Sequence, residues 1–140
     1  MAQLVIANIV VVLMAVLIHL ESLRLLGWVT SNIRVRHRLK LVICVCGALV
    51  AHTIEVWLFA LAYFVMQSFG LGRLVGRSNG SLLDCAYFSF TTFTTLGFGD
   101  IEPVGPIRYL TGLEALTGLV LITWTASFLF VEMERYWKRY

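Results

Sequence analysis

Charge is scarce in this 140-residue sequence: Asp, Glu, Lys and Arg make up 14% of it, against 59% hydrophobic residues. A soluble domain of this size does not combine so little charge with a mean hydropathy of +0.85. Cysteine is scarce too. Cys44, Cys46 and Cys85 form no CxxC pair and no even-numbered set, which excludes a disulfide framework. Two of them fall within an apolar run, where Cys behaves as a small apolar residue. The sequence offers no metal-ligand cluster, no nucleophile–base spacing and no phosphate-binding loop. Almost no polar chain is left to house a catalytic site, so neither an enzyme nor a resident cofactor is expected. The end at Tyr140 comes too soon after the last apolar run for a ligand-binding gating domain.

What is present is hydrophobic sequence in blocks long enough to cross a bilayer, which takes about 20 residues per helix. The first block covers residues 4–20 and lacks the basic start and small-residue cleavage site of a signal peptide. Asn8, Ala15, His19 and Ser22 share one side of it at helical spacing, which suggests packing against other helices rather than lipid. The second block, residues 41–66, is long enough to span with tilt. The third, residues 107–131, carries a single acid, Glu114, with Gly118 and Thr125 on the same face.

Basic residues cluster in two places: Arg24, Arg34, Arg36, Arg38 and Lys40 around one connection, and Arg135, Lys138 and Arg139 at the C-terminus. The positive-inside rule puts both on the cytoplasmic side, with the N-terminus and residues 67–81 outside. Arg34, Arg36 and Arg38 alternate at every second position, whereas a voltage sensor repeats Arg about every third residue within an apolar span. The stretch from residue 27 to residue 40 therefore reads as a cytoplasmic topology anchor. Anionic lipid headgroups suit Arg34, Arg36, Arg38 and Lys40 as a partner; nucleic acid does not, because the run abuts membrane spans.

Between the second and third blocks lie a Gly/Ser-rich loop, residues 68–81, and then residues 82–103. Ser81 is placed to cap a helix, and Asp84 favours its first turn. The sequence LLDCAYFSFTTF supplies about three helical turns, too few to span. A half-span helix followed by the Thr- and Gly-rich run TTLGFGD predicts a re-entrant loop. Bare backbone at membrane depth is tolerated only inside protein or against a water-filled cavity. Gly97 and Gly99 alternate with Leu96 and Phe98, which lets successive carbonyls face one side. Four such strands about an axis stack rings of oxygen that replace a cation's hydration shell, with Thr95 adding hydroxyls. One chain supplies one strand, so a pore requires an oligomer, most simply a fourfold ring. The helix ends near Thr94, aiming its negative dipole end at the cavity, and Asp100 and Glu102 sit at the mouth.

The run TTLGFGD resembles the potassium-channel signature, usually Thr-Val-Gly-Tyr-Gly-Asp, and the order outer helix, pore helix, filter, inner helix resembles the two-helix pore module. The resemblance covers about residues 41–131. It implies an all-α membrane protein with three transmembrane helices, a re-entrant pore helix and a filter loop, assembled as a homotetramer in the plasma membrane. Residues 1–40 then form an added helix and basic loop. The pore module takes residues 41–140, with outer helix 41–66, pore helix 82–94, filter 95–99 and inner helix 107–131. K+ is implied at Thr95, Leu96, Gly97 and Phe98, with Gly99 completing the filter and Asp100, Thr91 and Thr94 supporting it. Two residues depart from the pattern: Phe98 replaces the usual Tyr, and Thr91 stands where some relatives keep an acid partner for Asp100. The alternatives are a weakly selective cation channel on the same scaffold, or a non-conducting membrane sensor or partner subunit.

Four further residues are candidates for gating or sensing. Glu114 reads as a proton-sensitive gate element or an electrostatic lure for cations, or else as a satisfied, partly protonated acid hydrogen-bonded behind the pore helix; its depth in the outer half of the span favours the last. Gly118 falls near the family's usual glycine hinge, and close helix packing accounts for it equally well. His52 and Glu55, three apart on a helix, read as a pH-sensitive pair or as a pair that satisfies itself between helices. His19 is a weaker candidate for the same role.

Overall fold

The computed structural model describes residues 2–137. Helix α1 spans Ala2–Asn32, α2 spans His37–Ser68, α3 spans Leu82–Phe93 and α4 spans Ile107–Trp137. Strands β1, Arg73–Gly76, and β2, Ile101–Val104, form an antiparallel ribbon. Three helices are long and apolar enough to cross a membrane, over Gln3–Asn32, Arg38–Ser68 and Ile107–Arg135. The fold is thus mostly helical with three membrane-length helices, as the hydropathy blocks required.

The first helix is longer than its hydrophobic block, and the basic connection is correspondingly shorter. Polar residues beyond residue 20 do not stop α1 because they bond its own carbonyls. Ser22 donates to Ile18 O at 2.7 Å, Thr30 to Leu26 O at 2.9 Å and Asn32 to Trp28 O at 2.8 Å. The expected loop over residues 27–40 reduces to residues 33–36 between α1 and α2. Arg38 and Lys40 therefore belong to the first turn of α2. The Lys40 amino group turns back to the Thr30 carbonyl at 2.6 Å and satisfies an orphan acceptor at the end of α1. Lys138 and Arg139 of the second basic cluster lie outside the described residues.

Small residues let the long helices approach. Ala15 on α1 and Ala48, Ala51 and Ala60 on α2 are buried, together with Cys44. Lipid tails are as apolar as Leu, so close packing and interhelical hydrogen bonds hold such helices together. The expected inward side of α1 is found: Asn8, Ala15 and His19 are buried. Large apolar side chains such as Leu13, Leu17, Leu49 and Phe130 point outward.

The ribbon was not foreseen. Its strands have four residues each, too short for a period-2 pattern to stand out, and one contains Pro103. It lies in what read as loop and pairs Gly76 with Ile101 and Arg73 with Val104. Gln67 at the end of α2 fixes it from below, accepting from Leu74 N at 3.0 Å and donating to Cys85 Sγ on α3 at 3.2 Å. The segment that follows α3 is thereby anchored at its far end.

Candidate functional site

Helix α3 starts where the sequence predicts. Ser81 caps it by accepting from Asp84 N at 3.1 Å, and the Asp84 carboxylate returns to Ser81 N, completing a capping box. Hydrogen bonds from Asn79 N–H and from Ser81 hold the Asp84 carboxyl below the usual carboxylate range. Toward its C-terminal end α3 sinks among the long helices, with Ser89, Thr91, Thr92 and Phe93 buried.

At Thr94 the helix ends and the backbone changes character. Thr95 has φ 60°, Gly97 φ 51° and Gly99 φ 76°, while the intervening Leu96 and Phe98 keep negative φ. The left-handed region is open to Gly and strained for other residues, so the two glycines answer a backbone demand and Thr95 is held there by its surroundings. Thr95 N donates to Thr92 O at 2.9 Å, and Gly97 N reaches back to Thr91 O at 3.1 Å. All five residues 95–99 are exposed, including the large side chains of Leu96 and Phe98, at 63% and 66%.

Thr91, Thr94 and Asp100 surround this strand in different ways. The Thr91 hydroxyl turns into its own helix, to Phe88 O at 2.9 Å, so it meets the strand through its backbone carbonyl and not as a partner for Asp100. Thr94 likewise bonds Phe90 O, at 2.7 Å. Asp100 instead accepts from the Tyr87 hydroxyl at 2.9 Å. That carboxylate pushes the Tyr87 pKa upward, so the hydroxyl remains a donor. On its other side the Asp100 carbonyl accepts from Arg77 N at 2.9 Å, next to the ribbon. Tyr87 was not legible in the sequence: it is one aromatic among several on a short helix.

Behind α3, Glu114 is fully buried. It receives the Tyr63 hydroxyl from α2 on one carboxyl oxygen and meets Ser89 Oγ of α3 on the other. Ser89 Oγ also lies 2.9 Å from Val56 O. Glu114 thus joins α2, α3 and α4 at one point. Gly118, one turn further along α4, is buried against the backbone of Phe93, and a Cβ there would lie well inside van der Waals contact with the Phe93 carbonyl. In this conformation the close approach of α4 to Phe93 leaves room only for Gly at 118.

His52 and Glu55 do meet, with Nδ1 2.9 Å from Oε2. The pair has a third member: His19 of α1 places Nδ1 2.8 Å from Glu55 Oε1. The expectation that no metal-ligand cluster exists is corrected here: helix packing brings His19, His52 and Glu55 together, with His19 and Glu55 36 apart in sequence. The inward side of α1 was the signal that could have found it.

A model of the ion channel family matches residues 41–135, more than half of the chain. The inward rectifier potassium channel Kirbac3.1 of Paramagnetospirillum magnetotacticum is 35% identical over 80 residues, 56% of this chain. The matched stretch spans 25% of that protein's length. No solved structure matches. The chain belongs to the ion channel family, as TTLGFGD in its frame of apolar helices implied, and is a membrane-embedded channel protein rather than an enzyme.

Proposed function

We propose that the chain forms a homotetrameric, potassium-selective channel whose filter is Thr95–Gly99. The observation that carries this reading is the alternation of positive and negative φ over those five residues. Alternating the sign of φ turns each peptide unit relative to the next, which lets consecutive carbonyls face one side while side chains leave by the other. Four strands then present stacked oxygen rings to K+ at Thr95, Leu96, Gly97 and Phe98. The same geometry accounts for the exposure of Leu96 and Phe98 in a single chain, since a neighbouring copy covers them in a ring. The likeness to a potassium channel supports the choice of ion.

In this reading α2 is the outer helix and α4 the inner helix, and α3 re-enters from the extracellular side. The connection at residues 33–36 is cytoplasmic, and Arg34 and Arg36 face anionic headgroups there. Helix α1 is an addition to the two-helix pore.

Flux from purified protein in liposomes tests the proposal. Potassium flux well above sodium flux is expected, together with its loss in Gly97→Ala. No neighbour crowds a Cβ at Gly97, so that loss reports the φ of 51° and not a clash. Equal potassium and sodium flux converts the reading to a weakly selective cation channel. Flux that survives Gly97→Ala unchanged removes the filter assignment.

A further inference from the structure

Three membrane-length helices meet at a polar cluster away from the strand at residues 95–99. His19 of α1 and Glu55 of α2 are fully buried, and His52 of α2 is partly so. The two Nδ1 atoms address different oxygens of one carboxylate, at 2.8 and 2.9 Å, and the ligand atoms of the three residues all lie within 4.8 Å of one another. On the far side of both rings the Nε2 atoms converge on the hydroxyl of Thr125 of α4, at 3.4 Å for His19 and 3.0 Å for His52. Other threonines of α4 turn back to their own helix. Thr111 bonds Ile107 O, Thr117 bonds Leu113 O and Thr123 bonds Leu119 O. Thr125 turns instead to the imidazoles.

Metal-bound histidine characteristically binds through one ring nitrogen and donates the N–H of the other to an oxygen, which fixes tautomer and ring orientation. Here one hydroxyl oxygen, with two lone pairs, stands opposite two such nitrogens. We infer that His19 Nδ1, His52 Nδ1 and the Glu55 carboxylate form a site for a divalent transition-metal ion of the zinc class. Thr125 then accepts both Nε2–H groups. Two imidazoles and a carboxylate suit a borderline ion better than Mg2+ or Ca2+, which prefer all-oxygen shells. In a tetrahedral site ligand atoms stand about 3.3 Å apart at metal–ligand distances of about 2.0–2.1 Å. The two Nδ1–carboxylate contacts therefore open by about half an ångström, one carboxylate oxygen turns between the two imidazoles, and all the ligand atoms already stand within 4.8 Å of one another. The remaining position falls to water or to the second carboxylate oxygen. His52 and Thr125 line a cavity of about 440 Å3 between α2, α3 and α4, which gives the ion a path.

The consequence is a clamp. The matched family region begins at residue 41, so His19 lies in the added helix, and the ion ties that helix to the pore module. This inference does not depend on which ion the pore conducts.

The test uses full-length, detergent-purified protein stripped with chelator and dialysed against Zn2+ alone. One ion per chain is expected, together with a rise in Tm by mass action. His19→Gln and His52→Gln each lower affinity at least tenfold, Thr125→Val lowers it about 10–100-fold, and His37→Gln leaves it unchanged. Co2+ in the wild-type protein gives the d–d bands of nitrogen and oxygen ligation without a thiolate charge-transfer band. That spectrum, with Thr125→Val, decides the matter even if the first-named variants fail to fold. Zinc not retained by the wild type at equimolar concentration overturns the site. Retention unchanged in the histidine variants, or a thiolate band pointing to the cysteines, overturns it equally.

Discussion

The Tyr87 hydroxyl donates to the Asp100 carboxylate at 2.9 Å and so closes the strand between them against the helix that precedes it. Phe98 has no hydroxyl with which to tie the strand, and the Thr91 hydroxyl is engaged with Phe88 O, so Tyr87 supplies this brace. Tyr87→Phe removes one solvent-exposed hydrogen bond to a charged group, so its effect shows in the strand it holds more than in overall stability. Potassium-over-sodium preference should fall, and flux should decay faster during a sustained gradient. Reversal potentials in mixed salts together with liposome flux time courses check this, and wild-type behaviour of both would show that the strand needs no such tie.

Gly118 and Gly112 make a controlled pair on α4. A Cβ at Gly118 meets the Phe93 carbonyl, whereas one at Gly112 meets nothing within 4 Å. Gly118→Ala must push α4 away from the end of α3, an overpacking cost of about 1–3 kcal/mol. Gly112→Ala should be neutral or stabilise by about 0.5–1 kcal/mol through helix propensity. Thermal melting in detergent should show Gly118→Ala lowered and Gly112→Ala unchanged or raised. A Gly118→Ala protein as stable as the wild type would mean that helix packing does not fix this residue.

How much of this could be read from sequence depends on whether the cause is local. Span positions were legible because hydropathy is summed over many residues; span ends were not, because Ser22, Thr30 and Asn32 satisfy their own helix and extend it. TTLGFGD was legible because each glycine answers a backbone conformation at its own position. The ribbon was not, since its four-residue strands stabilise each other across a gap that includes α3. Tyr63 on Glu114, Tyr87 on Asp100 and His19 on Glu55 are contacts between distant segments. The first two leave no periodic trace, whereas His19 lies on the face of α1 that helical spacing already marks as inward.

Glu114 offers a further test of what holds α3. Ser89 Oγ faces two groups, Val56 O and Glu114, with one proton to give. A residue at 114 that can donate completes the set, and Gln does so at nearly the same volume. Glu114→Gln should therefore fold and conduct within about twofold of the wild type, an expectation from the small net effect of exchanging satisfied hydrogen bonds. Glu114→Ala strips Tyr63 and Ser89 of a partner and leaves a cavity, at a cost of about 1–3 kcal/mol per buried unsatisfied group. Melting curves and potassium flux measured on both variants distinguish a packing role from a direct one. A collapse of conductance in Glu114→Gln with unchanged stability would assign the carboxylate to the ion path.

The capping box at the start of α3 predicts an acid-labile element outside the long spans. Hydrogen bonds from Asn79 N–H and from Ser81 depress the Asp84 pKa in the folded protein. A depressed carboxyl contributes stability above its unfolded value, near 4 by the reference for Asp, and loses that contribution as pH falls through the folded value. Stability should therefore be flat from neutrality down to about pH 4–5 and decline below it. Asp84→Asn should lower Tm at neutral pH and flatten the acid limb, because the amide no longer titrates. Ser81→Ala should lower Tm but keep part of the limb, since the Asn79 N–H still bonds the carboxylate. Melting temperature against pH for the three proteins decides it. An acid limb identical in the wild type and Asp84→Asn would place the labile group elsewhere.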